Sequence, residues 1–343
     1  MTSEELQQLE IHAWTEIKPS YNGADLLLGN GFSINISNQL QYNSLFDKFL
    51  EYCSTDMKRI FKSFKTTNFE LILEKLNNGI EVNKVFGITN TSKIEEAIEN
   101  LKNGLIRAIE NNHPRYEDIY RKLIPISAQL DQFNDIFTLN YDVFLYHLIM
   151  TTLDRHRQGI IRDEGRYQDF FWGHKSLRDY LEFMGFQQYP YKNVYYLHGA
   201  LFLFDFDGDA FKLKRKPDKD LLDNIREQIS IGNLPLFIAE GTHADKMKAI
   251  KKNRYLTFCY DALKENRNKM VVFGASFLKD SHIIKAIEAT PRHLAIGIHV
   301  GSRPLTEIDS EKHKYLSIFT KCNRQYPIDF FNSSTLFNFM RRR

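Results

Sequence analysis

Six short apolar runs, each ending in small or polar residues, constrain this chain more than any other feature. The first three are Ala24–Leu28 before Gly29-Asn30-Gly31, Ile136–Leu139 before Asn140, and Val194–Leu197 before His198-Gly199. The others are Leu236–Ala239 before Glu240-Gly241, Met270–Phe273 before Gly274-Ala275-Ser276, and Leu294–Ile298 before His299. Runs this short, without inside-outside alternation, suit strands buried on both faces of a parallel sheet. Helical stretches separate most of them, the βαβ rhythm of a doubly wound fold. The expected fold is α/β: a Rossmann-like, mostly parallel sheet of about six strands, flanked by helices and forming one domain over 1–343. Ligands bind beyond the carboxyl ends of the strands in such sheets. This chain puts its Gly, Asn, His and Ser there.

More than a hundred residues separate the first two runs, too many for one crossover. The stretches 68–76 and 94–109 read as helical. In the second, Ile94, Ala97, Ile98, Leu101, Leu105 and Ile109 recur at three and four residues, one helical face, and Pro114 closes the segment. A helical insertion or subdomain is therefore expected over 41–130. A second, smaller insertion at 155–190, aromatic and charged, is expected to be part helical. Asp207-Gly208 between apolar stretches reads as a hairpin turn. The acidic residues Asp205, Asp207 and Asp209 fail as a calcium loop, because the glycine comes too early and no Glu follows at the required distance.

Composition removes several classes of function. Hydrophobic residues are 43% and charged residues 26% of the 343, which excludes wholesale disorder and fibrous repeats. With 46 Lys and Arg against 43 Asp and Glu, the net charge of +3 gives no reason to expect direct nucleic-acid binding. Arg341-Arg342-Arg343 reads as a solvated tail. Cys53, Cys259 and Cys322 form no C-x-x-C pair, so a four-thiolate zinc module is excluded and neither a disulfide framework nor a metal is expected. The acidic start, Met1 to Glu5, lacks the apolar core of a signal peptide, and no stretch reaches membrane-span length. A soluble, cytoplasmic chain is expected.

The strand ends carry the chemistry. Gly29-Asn30-Gly31-Phe32-Ser33 offers glycines for close backbone approach and amides for an anion, or serves as a tight strand-to-loop turn. Thr138-Leu139-Asn140-Tyr141-Asp142 ends the second run, and Asp142 suits a helix-capping carboxylate. His198 ends the third run. Gly274-Ala275-Ser276, with Asp280 close behind, ends the fifth.

In this order the motifs resemble the sirtuin superfamily, from about residue 22 to about 300. The resemblance implies that Gly29, Asn30, Gly31, Ser33, Gly274 and Ser276 bind NAD+, and that His198, Asn140 and Asp142 form the catalytic set. Two departures matter. Ser33 is followed by Ile34-Asn35-Ile36-Ser37-Asn38 and not by the Gly-Ile-Pro-Asp-Phe-Arg stretch of protein deacylases, and their four-cysteine zinc module is absent. What remains resembles the sirtuin-like NAD+ hydrolases of bacterial antiphage defence, a likeness to which Glu240-Gly241-Thr242, Lys246 and Tyr255-Leu256 add. The implied reaction cleaves the nicotinamide-ribose bond to nicotinamide and ADP-ribose, with NAD+ as substrate and no metal. Alternatives are a deacylase or ADP-ribosyltransferase, or a non-catalytic nucleotide sensor. The resemblance further implies a homo-oligomer and a HerA-like hexameric ATPase as partner, with no membrane contact.

Overall fold

The computed structural model describes residues 3–37, 45–159, 167–173, 179–185, 192–214, 216, 218–238, 243–337 and 339. Four strands come first in the chain: β1 Ile11–His12, β2 Asp25–Leu28, β3 Ile136–Thr138 and β4 Tyr167–Gln168. Next are β5 Phe171–Trp172, β6 Tyr180–Phe183, β7 Lys192–Tyr196, β8 Gly199–Phe206 and β9 Asp209–Leu213. The last are β10 Pro235–Phe237, β11 Met270–Phe273, β12 Leu294–Ile298 and β13 Asp329–Asn332.

Eight of these form one open sheet in the order β1-β13-β12-β11-β2-β3-β7-β4. Its described pairings are all parallel. The apolar runs explain why. Leu26, Leu27, Leu28, Val271, Val272 and Ile296 are essentially without solvent exposure, as strands covered on both faces require. The chain leaves central β2 toward β3 on one side and later returns to β11 on the other. The carboxyl ends of β2 and β11 thus flank the topological switch point, where α/β sheets open a crevice.

Five of the six apolar runs are strands of this sheet. The sixth is not: β10 pairs antiparallel with β8 in a second sheet, ordered β10-β8-β9-β6-β5. A short apolar run reports burial but not which sheet buries it. Here β8 follows β7 after only Leu197-His198, too short for a crossover helix, and Gly199 turns the chain at φ +71. The hairpin reading holds. Phe206 pairs with Asp209 across Asp207 and Gly208, which have φ of 56 and 86, and the Gly208 amide donates to Asp205 Oδ1 at 2.8 Å.

Helices fill the described chain between β2 and β3: Asn30–Ile36, Leu45–Tyr52, Thr55–Phe64, Phe69–Val85, Ser92–Asn112 and Tyr116–Leu130. Ser54 and Asn68 cap two of them by accepting from the Met57 and Leu71 amides. Phe46, Phe49, Phe61 and Phe69 pack ring to ring at the centre of this region, with Phe49 and Phe69 centroids 4.9 Å apart. Gly104 admits Phe49, since a Cβ there would lie 2.7 Å from its ring. Over 155–190 the expected helix is confined to the end of Phe144–Arg157, and the other described elements are β4, β5 and β6. Tyr167, Phe170, Phe171 and Trp172 are the residue types that favour extended chain.

Candidate functional site

Every strand end singled out from the sequence, except that at Leu236–Ala239, lies at the carboxyl edge of the parallel sheet. Strands β11, β2, β3 and β7 are consecutive neighbours there and deliver, in turn, Gly274–Ser276, Gly29–Ser33, Asn140–Asp142 and His198.

The two glycine loops meet each other. Gly29 N donates to the Phe273 carbonyl and Gly31 N to the Gly274 carbonyl, each at 2.9 Å. A Cβ on Gly29 would sit 2.5 Å from Ala275 Cα, and one on Gly31 2.7 Å from Gly274 Cα. Gly274 itself has φ +70, open to glycine at little cost. What these glycines approach closely is thus the facing backbone, and the amides of Gly29 and Gly31 are committed to it. Asn30 and Ser276 are the exposed residues of the pair of loops. Phe277, next in the chain, is buried with φ 56, a left-handed conformation costly for an aromatic residue.

Beneath the loops lies a buried polar network. Asn140 Nδ2 donates to the Gly29 carbonyl at 3.0 Å and to Ser33 Oγ at 2.9 Å, and Ser33 donates in turn to Asp142 Oδ2. Asp142 Oδ1 accepts the Phe144 amide at 2.9 Å, a local turn one residue ahead of the helix Phe144–Arg157, whose N-cap is Val143 and not the expected Asp142. Burial pushes the Asp142 carboxyl up, against the pull of the Ser33 hydrogen bond and of nearby His113. His113, from the helical region, was not anticipated; it is buried and its charged form is disfavoured by that burial.

His198 belongs to a second cluster, one residue away along β3's exit. The Asp280 carboxylate and the Leu139 carbonyl favour its charged form. Its Nε2 lies 2.9 Å from His282 Nε2 and 3.8 Å from Asp280 Oδ1. Lys246 Nζ rests on that same Asp280 oxygen at 2.7 Å, its side chain only 4% exposed. Desolvation pushes His198 down to about 4 and His282 to about 3, so both are neutral at pH 7. Asp280 is also desolvated, but His198, which becomes charged only in acid, and the Lys246 side chain outweigh this and hold its carboxyl below the usual range. Asp280 stands at the N-cap of the helix Ser281–Ala289 without capping it by its side chain. The side chain is diverted to Lys246.

Asp280 and Lys246 stand out in the sequence, whereas His282 does not. The signal was Asp280-Ser281-His282 opening a helix behind the Gly274–Ser276 exit. Ligand-type atoms of His198, Asp280 and His282 lie within 4.8 Å of one another, which is where a divalent cation would fit best among the described residues. The Lys246 ammonium already supplies positive charge at this carboxylate. Glu240-Gly241-Thr242 and Arg341-Arg342-Arg343 lie outside the described residues.

Fold and site together define an α/β protein with a Rossmann-like parallel sheet whose polar residues gather along one carboxyl edge. The chain belongs to the family described as Domain of unknown function (DUF4917), whose model matches residues 26–337. No curated protein matches it.

Proposed function

We propose that this chain is an NAD+ hydrolase that cleaves the nicotinamide-ribose bond, a cytoplasmic effector of antiphage defence by NAD+ depletion. One observation carries the reading: four neighbouring parallel strands converge Gly29–Ser33, Asn140–Asp142, His198 and Gly274–Ser276 on the switch point, where dinucleotides bind such sheets.

The chemistry fits these groups. Nicotinamide leaves as a neutral molecule from a cationic ring, so no general acid is required, and the ribose passes through an oxocarbenium-like state. A neutral imidazole at pH 7 accepts a proton from a ribose hydroxyl or from water. Asn140, its nitrogen held by Gly29 and Ser33, turns its carboxamide oxygen to the ribose. Asp142 fixes Ser33 and the following helix. Asn30 and Ser276, exposed on the facing loops, take the dinucleotide's phosphate and adenosine ends. The reading is tested by incubating the purified chain with NAD+ and following free nicotinamide. Release that depends on His198 supports it; none under any condition refutes it.

A further inference from the structure

We propose that the helical region carries a second binding site, an open cavity that takes a nucleoside monophosphate by way of Arg107; this goes beyond the NAD+-cleavage reading and does not depend on it. The cavity, about 560 Å³, lies between the helices Ser92–Asn112 and Leu221–Ser230, with Tyr52 from the end of Leu45–Tyr52. That volume is within the range of small-molecule sites. None of its lining residues belongs to the carboxyl edge of the sheet. Asn100, Asn103, Arg107 and Glu110 recur at three and four residues and so share one face of Ser92–Asn112. A polar helix face is ordinarily just solvated. Here Leu221–Ser230 and Tyr52 wall it in.

The hydrogen-bonding groups of this cavity are one-sided. Asn100 Oδ1 accepts the Ser54 amide at 2.7 Å, which leaves the two side-chain N–H groups of Asn100 uncommitted. Asn103 and Arg107 have no hydrogen bond or ion pair among the described residues. Glu110 is the one carboxylate among the lining residues, and Arg226 holds it at 3.2 Å. That pair cancels, so Arg107 leaves one positive charge unbalanced. Ser230 Oγ already donates to the Glu227 carbonyl at 2.7 Å. Donors outnumber acceptors, and the surplus charge is positive.

A phosphate group matches that surplus. It is negative, it offers acceptors, and the planar guanidinium fork binds two of its oxygens at once. A neutral sugar brings as many donors as acceptors and leaves the charge of Arg107 unanswered. Phosphate alone would leave most of the 560 Å³ unfilled. Tyr52 and Ile106, both half-buried lining residues, offer apolar surface on which a flat base can rest. The carboxamides of Asn100 and Asn103 carry the donors and acceptors that read a base edge. A nucleoside monophosphate joins the anion and the base in one molecule.

The test is titration calorimetry on the full chain with AMP, adenosine and inorganic phosphate as probes. AMP should bind the wild-type protein more tightly than adenosine or phosphate does. Arg107→Glu should weaken AMP roughly 10-fold or more, since a hydrogen bond between charged groups is lost. Its melting temperature should stay at the wild-type value, because Arg107 is exposed and holds nothing in place. Arg107→Gln, a milder change, should weaken AMP in the same direction. AMP that does not bind the wild-type protein overturns the proposal. So does AMP that binds Arg107→Glu and Arg107→Gln as well as wild type, which would put it elsewhere on the chain. Phosphate binding as tightly as AMP would overturn the nucleoside assignment. None of these measurements reads NAD+ turnover, so failure here leaves the hydrolase reading standing, and intact NAD+ leaves this site standing.

Discussion

Gly199 shows how tightly single residues hold the carboxyl edge of the sheet. A Cβ there would lie 2.1 Å from the Leu236 carbonyl oxygen, and the residue has φ +71. Gly199→Ala should therefore cost about 2 kcal/mol or more and displace His198 next to it, read as a lower melting temperature with reduced turnover. His198→Ala should behave differently, losing roughly 100-fold in turnover while melting close to wild type. Normal turnover in folded His198→Ala would end its assignment as a base. Asn140→Ala should damage turnover comparably, but two of its buried hydrogen bonds hold Gly29 and Ser33, so a loss of about 2 kcal/mol in stability should accompany it. At this scale the sequence marked Asn140, Asp142 and His198 for the carboxyl edge, because Asn140 and His198 directly follow apolar runs and Asp142 comes two residues after Asn140. It did not disclose His282, which meets His198 across 84 residues. No local pattern records that pairing. The glycines were legible as close-approach positions, but what they approach, each other's loop, is a property of strand order.

Among elements, the helices His243–Lys252 and Ser281–Ala289 matter most, because they carry Lys246 and His282 to the end of β7. Lys246→Met would leave Asp280 partly buried without its cation, and chemical denaturation should show a loss of about 2 kcal/mol or more. The histidine pair makes stability depend on pH. The folded-state value of His198 is about 4, below the unfolded value near 6.5, so the unfolded chain binds its proton first as pH falls. Its favourable effect is full above about pH 6.5 and is lost toward pH 4. Melting temperature should thus fall between pH 7 and 4.5, and fall less in His198→Gln. An identical slope in both would contradict the buried neutral imidazole. Elements themselves were readable where the pattern was strong: the helices Phe69–Val85 and Ser92–Asn112 cover both helical stretches expected from spacing. The strands β1 and β4 are two residues long and β13 has only Phe330 and Phe331 as apolar residues, too little to mark them. The second sheet was hidden because its pairings depend on how β8 turns away from β7.

For the molecule as a whole, no helix among the described residues is long and apolar enough to cross a membrane. The parallel sheet, the helices over 45–130 and the antiparallel sheet meet around Tyr141, between Asn140 and Asp142. Its hydroxyl accepts the Leu45 amide at 3.2 Å, and its ring lies 5.1 Å from that of Phe237. An uncontrolled NAD+ hydrolase would starve its host, so on the proposed function activity is governed by assembly, with itself and with a HerA-like hexameric ATPase. Light scattering should find an oligomer, alone or with that ATPase; a strict monomer in both cases would count against such control. Chelation should leave turnover unchanged, whereas activity abolished by chelator and restored by zinc would reassign His198, Asp280 and His282 as ligands. The central claim is hydrolysis itself. It is tested most directly by incubating the purified protein with NAD+ and resolving the products by chromatography. The account predicts nicotinamide and free ADP-ribose in equal amounts, from wild type and not from His198→Ala. Intact NAD+, or ADP-ribose found only on an acceptor, would contradict it.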